Sequence, residues 1–146
     1  MKLNNENKKT LMLSMHKKIE EYANDTSESL NKGELQDLLS YPPNCGLNDK
    51  EINSLNKITN DPDLKSALRK ILADNSASVV FELMNLIDGT SDPDEELGEW
   101  SEIALIDKSE DIEETDEMLH DSFYSTYWDW KEIRPENNWN LDNLDE

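Results

Sequence analysis

The segment from Leu64 to Ile87 constrains this chain most. Leu64, Leu68, Ile71, Leu72, Val79, Val80, Leu83, Met84 and Ile87 recur mostly at three- and four-residue spacing, with Ala67, Ala73 and Ala77 between them. Helical geometry brings such positions onto neighbouring parts of one surface, so the spacing predicts a helix. From Ala77 to Ile87 the apolar character extends around much of the circumference, as it does in a central helix. Both ends are written locally. Asp61 before Pro62 reads as an N-cap followed by the first helical residue, where proline's missing amide costs nothing. Gly89 reads as the stop, because glycine enters the left-handed conformation that closes a helix.

The other elements follow from the same kind of reading. Leu11, Met12, Met15, Ile19 and Tyr22 mark one apolar helical face that begins near Lys8. The polar run Asn24-Asp25-Thr26-Ser27 weakens that pattern. Leu30, Leu35, Leu38 and Leu39 then suggest a short second helix, closed by Tyr41-Pro42-Pro43. Asn48 or Asp49 is a suitable N-cap for a third helix carrying Ile52, Leu55 and Ile58, with Glu51 in its first turn. After Gly89 the chain reads as an acidic loop to Glu99. Trp100 to Asp107 reads as a short strand, partly alternating in polarity. One strand alone is not stable, so this piece either pairs with a weak segment or lies extended against helices. A last helix is expected from about Ile112 to Ile133, with Met118, Leu119, Phe123, Tyr127 and Trp130 facing a core and Pro135 ending it. The predicted fold class is mainly α, with α+β as the alternative. It is a single-domain helical bundle around the central helix 62–88, with a short extended segment at 100–107, a long C-terminal aromatic helix, and loose tails at 1–6 and 136–146.

Charge narrows the function. From Asp88 to Glu146 there are 21 acids against three bases, Lys108, Lys131 and Arg134. The first 87 residues hold 13 acids and 11 bases, which nearly balance. A polyanionic surface repels nucleic acid and anionic lipid and attracts basic proteins or cations. No apolar run reaches the roughly 20 residues of a membrane span, and the opening residues lack a signal-peptide stretch. Cys45 is the only cysteine, so a disulfide within the chain is impossible and a reducing cytoplasm is the expected location.

Motifs for catalysis are missing. There is no Gly-x-Ser-x-Gly, no Walker A string and no Gly-x-Gly-x-x-Gly. Cys45 follows a Pro-Pro turn with no local base and reads as an incidental thiol. Asp88, Thr90, Asp92 and Glu99 fall at positions 1, 3, 5 and 12 of a calcium-loop spacing, but Pro93 stands where that loop needs glycine. Glu117 and His120 share one helix face, as a di-iron bundle requires twice over, yet only one such pair exists. His120 beside Asp121 and Glu117 reads as a surface hydrogen-bonding residue. No metal, cofactor or catalytic residue is expected.

The run from Asp121 to Trp130 is the most informative. It holds Phe123, Tyr124, Tyr127, Trp128 and Trp130 among carboxylates, five aromatics within eight positions. One helix face cannot bury them all. Aromatic side chains left in the open with a charged rim resemble the anchors of protein interfaces. The candidate partner-binding residues are Asp121, Tyr124, Trp128, Asp129, Glu117 and Glu132. The expected function is that of a small acidic cytoplasmic binding protein that neutralises a basic protein partner, most concretely a bacterial immunity protein or antitoxin facing a toxin. The alternatives are a divalent-metal enzyme built on carboxylates, a nucleic-acid mimic, and a regulatory subunit of a larger assembly. Neither direct nucleic-acid contact nor membrane association is expected.

Overall fold

A computed structural model of the full chain describes residues 3–35, 38–39, 46–107 and 118–133. The fold is mainly helical. In chain order it contains α1 (Asn5–Lys32), α2 (Asp49–Leu55), a 3-10 turn (Asn56–Ile58), α3 (Pro62–Asp88), a second 3-10 turn (Glu95–Leu97) and α4 (Leu119–Ile133). Among the described residues there is no β-strand, and Ile106 alone occupies a bridge position. None of these helices is long and apolar enough to cross a membrane.

The described residues gather into two compact units. One takes in those of 1–18 and 76–136, the other those of 19–75. In the second unit, α1 runs straight through Asn24–Ser27, where the sequence suggests a break. Ser27 is fully buried, and its hydroxyl donates to the Asn24 carbonyl one turn earlier. A hydroxyl satisfied within its own helix no longer competes for a turn. The separate helix expected over Leu30–Leu39 therefore does not form. Its first residues belong to α1, and Leu35, Leu38 and Leu39 lie beyond the helix end.

That end is set by Gly33, whose φ is +73°. The Gly33 amide donates to Leu30 O and the Glu34 amide to Ser29 O, the paired bonds of a Schellman motif. A Cβ on Gly33 would also stand 3.3 Å from Thr59 Cγ2, a tight contact from which the threonine side chain would have to move by a few tenths of an ångström, so the left-handed φ is the main reason for glycine. The α2 start is the expected one. Asn48 accepts the amides of Lys50 and Glu51, and the Glu51 carboxylate accepts the Asn48 amide, which completes a capping box. Asp61 accepts the Leu64 amide at 2.9 Å and starts α3 at Pro62 as read from the sequence. Glu28 pairs with Lys65 and lies 3.4 Å from Lys32; these ammonium groups hold its carboxyl below the usual carboxylate range. Tyr22, placed on the apolar face of α1 by its spacing, is exposed instead.

In the first unit α3 ends at a second Schellman motif, with Gly89 at φ +69° and Thr90 N–H donating to Asn85 O. Met84 is buried, while Val79 and Leu83 face solvent, so the apolar girth of this helix is not fully covered. The buried residues here also include Leu3, Met12, Leu119, Phe123 and Trp130. Of the stretch expected to be loose at 1–6, Leu3 is buried and the Asn4 amide is bound by Asp107. Among the described residues no strand forms over Trp100–Asp107, where only Ile106 occupies a bridge position. The tail 136–146 and the expected helix start near Ile112 lie outside the described residues. Met118 is not helical, and α4 begins at Leu119.

Candidate partner-binding face

Two distant carboxylates position this unit's helices. Asp88, the last residue of α3, has a side chain only 2% exposed. Its Oδ2 accepts both the backbone N–H of His120 and the ring Nδ1–H of the same residue, each at 2.9 Å. It thus caps the first turn of α4, where free amides and the helix dipole favour an anion. His120 finds its hydrogen-bonding carboxylate in Asp88, 32 residues away, and its Nε2 also lies 3.6 Å from Oδ1 of Asp121, a neighbour the sequence suggested; Glu117, the other, lies outside the described residues. Asp107 anchors the start of α1, where Asn4 is the cap and its side chain accepts the Asn7 backbone amide. Asp107 is buried, accepting the Asn4 amide at 2.8 Å and the Asn7 side-chain amide at 2.7 Å.

The inward face of α4 carries Leu119, Ser122, Phe123 and Trp130. His16 of α1 is buried against it. The imidazole stacks on Phe123 with ring centres 4.8 Å apart and meets Tyr127 edge-on at 5.7 Å. Its Nε2–H donates to the Phe123 carbonyl at 2.7 Å. Burial pushes the His16 imidazole below its ordinary range, against the opposing pull of that hydrogen bond. The unfolded chain therefore binds a proton at this residue more readily than the folded one. The stability His16 contributes is complete above about pH 6.5, the ordinary imidazole value, and declines as pH falls below it. In urea melts, His16→Gln should accordingly lose less stability than the parent chain on going from neutral to mildly acidic pH.

The outward face is different. Asp121, Tyr124, Trp128 and Glu132 follow at helical spacing and are all exposed. Tyr124 is 55% and Trp128 59% exposed. Neither ring is loose. Tyr124 lies 5.2 Å from Phe81 of α3 and 5.3 Å from Phe123, and Trp128 packs edge-on with Tyr127 at 5.4 Å. The Lys131 ammonium sits 5.6 Å above the Trp128 ring, a cation–π arrangement. Asp129 stands at the edge of this face and pairs with Lys9 at 2.8 Å, so its charge is partly answered within the chain. Glu117 lies outside the described residues. Four of the six residues read from the sequence thus share one open face. Met118, expected on the core side, is exposed.

The calcium-loop spacing does not gather its oxygens. Asp88 is engaged by His120, and the Thr90 hydroxyl donates to Asn85. Among the described residues no three His, Cys, Asp or Glu side chains form a group suited to a metal ion. The sequence reading missed His16 as an aromatic-packed core residue. The available signal was its place four residues after Met12, on the same helix face. It also missed the anchoring carboxylates of Asp88 and Asp107, whose partners lie 32 and about 100 residues away.

No protein-family model matches this sequence, and comparison with the curated proteins and with the solved structures finds no match.

Proposed function

We propose that this protein is a small acidic cytoplasmic binding protein that neutralises a basic protein partner, with a bacterial immunity protein or antitoxin as the concrete form. The observation that carries the reading is the outward face of α4. Tyr124 and Trp128 are exposed yet braced by neighbouring rings, and Asp121 and Glu132 flank them. A braced aromatic loses little conformational freedom on binding, which is why Tyr and Trp anchor interfaces. The surrounding negative charge steers a basic partner and speeds its association. Toxin nucleases fit such a face because surfaces that bind phosphate are basic. The Lys131 ammonium over Trp128 occupies the position that a partner's lysine or arginine would take.

The test is binding and inhibition measured against a panel of purified basic nuclease toxins. At least one should bind and lose its nuclease activity, and its association rate should fall as salt rises. Trp128→Ala should weaken that complex by about tenfold or more. The double reversal Asp121→Lys with Glu132→Lys should slow association. Neither change should alter the melting temperature. Failure to bind any panel member would reject the reading, and so would binding that ignores both variants.

A further inference from the structure

Where α1 passes α4 there is a recess of about 250 Å³, lined among the described residues by Asn5, Lys8, Lys9, Ser122 and Thr126. Its volume lies just under that of ordinary small-molecule sites, about 300–1,000 Å³. In a chain of net charge −20 the lining is unusual. It consists of two lysines, an amide and two hydroxyls, with no carboxylate among them. Lys8 and Ser122 are buried and form the inner end, whereas Asn5 and Lys9 are exposed at the mouth. The aromatic side of α4 that faces outward has no part in it.

Hydrogens and lone pairs in the lining select what fits. The Ser122 hydroxyl donates to Met118 O at 3.1 Å and the Thr126 hydroxyl to Ser122 O at 2.7 Å. Both spend their hydrogen within α4, and their remaining lone pairs can accept. The donors of the recess are therefore the Asn5 side-chain amide and the two ammonium groups. Lys8 is already engaged within the chain, but an ammonium carries three hydrogens. Lys9 is the cation able to change partner. It pairs with Asp129 at 2.8 Å, and both side chains are about half exposed, 55% and 46%. An ion pair so open to water contributes little, so an oxyanion in the recess can take the place of Asp129. Two ammonium groups together favour a dianion over a single carboxylate, and lysine binds phosphate as a point charge. The geometry points to a binding site for a small phosphate-bearing molecule, in which Lys9 leaves Asp129 to meet the phosphate, Lys8 and Asn5 donate beside it, and the Ser122 and Thr126 oxygens accept from hydroxyl groups of the ligand. The site does not rest on the partner-binding reading.

The experiment titrates the full chain with inorganic phosphate and with glycerol 3-phosphate, and uses acetate and glycerol as the contrasting probes. Sodium chloride holds the ionic strength at about 0.15 M throughout, which screens the long-range repulsion between the chain and an anion. Amide NMR locates binding, and the melting temperature reports the stabilisation that a ligand of the folded state brings. Both phosphates should bind saturably, raise the melting temperature above its value in chloride alone, and shift amides within 5–9 and 122–126. Glycerol 3-phosphate should bind the more tightly because it adds hydroxyl groups, acetate should bind more weakly than either, and glycerol should not bind. Lys9→Gln should weaken phosphate binding by about tenfold, with the melting temperature in chloride unchanged because that side chain is exposed. Asp129→Asn frees Lys9 and should strengthen binding by about two- to fivefold. Asp92→Asn, which removes the same charge from an exposed position outside the recess, should give a smaller gain. Trp128→Ala should leave phosphate affinity unchanged, which separates this site from the α4 face. An effect no greater than that of chloride would reduce the site to general screening and overturn the inference. Equal binding of acetate, indifference to Lys9→Gln, equal gains from Asp129→Asn and Asp92→Asn, dependence on Trp128, or amide shifts only outside the recess would overturn it as well.

Discussion

Phe123→Ala should lower the free energy of unfolding by about 3–5 kcal/mol, the usual cost of truncating a buried phenylalanine. The ring is only 1% exposed. Its loss removes the surface on which His16 stacks and one of the two rings that flank Tyr124. The hole cannot be filled by a swing of His16, because its Nε2–H is committed to the Phe123 carbonyl. Small domains are stable by only about 5–15 kcal/mol in all, so this one change removes a large share. Urea denaturation followed by circular dichroism measures it. Phe123→Leu should cost clearly less, since most of the volume is retained. Tyr124→Ala, one residue along, should cost still less, because that ring is half in solvent. A similar loss at both positions would mean that the two faces of α4 are not as different as their exposure indicates.

Asp107→Ala should cost about 2–4 kcal/mol, the larger part from two charge-assisted hydrogen bonds and the remainder from an anion at a helix N-terminus. The carboxylate is buried and accepts the Asn4 amide and the Asn7 side-chain amide. Truncation strands the half-buried Asn4 amide, whereas the exposed Asn7 side-chain amide turns to water, so most of the loss lies at Asn4. Asp107→Asn keeps one acceptor oxygen and should recover part of the loss. Asp92→Ala, also an acid removed but an exposed one, should stay within about 0.5 kcal/mol. Hydrogen exchange adds a local readout. In Asp107→Ala the amides of the first turn of α1 should exchange faster, whereas those of α2, which has its own capping box, should not change. Equal stability of the parent and Asp107→Ala chains would show that α1 needs no anchor from the distant segment.

The parts of the fold written in neighbouring residues were legible. Asn48 with Glu51, and Asp61 with Pro62, start their helices as cap chemistry requires, and Gly89 ends α3 in the left-handed conformation. These motifs are complete within a few residues, so no distant partner is needed to read them. The excess of aromatics between Phe123 and Trp130 was also sound as arithmetic, since a helix has one inward face. Which rings stay outside was less legible. That depends on Phe81 and His16, from other helices, taking up the space beside Tyr124 and Phe123. Asn24–Ser27 looked like a break because its side chains favour turns. Burial of Ser27, and its bond to the Asn24 carbonyl, turned the balance toward helix. Trp100–Asp107 looked like a strand because composition reports what a segment favours, not whether a neighbour is present to pair with it. Asp88 and Asp107 were indistinguishable from the other acids around them, as their work is defined by His120, Asn4 and Asn7.

The two buried aspartates also bear on how such a sequence can change over time. An acid on the open surface of a polyanion is one of many, and exchanging it for glutamate, asparagine or serine alters the field only slightly. Asp88 and Asp107 are bound to particular amides at particular helix starts, and even glutamate would reach past them. In relatives that have drifted in total charge, the surrounding acids should be shuffled and thinned while these two positions remain aspartate. A collection of such sequences would then separate the acids that hold the protein together from those that make it attractive to something else.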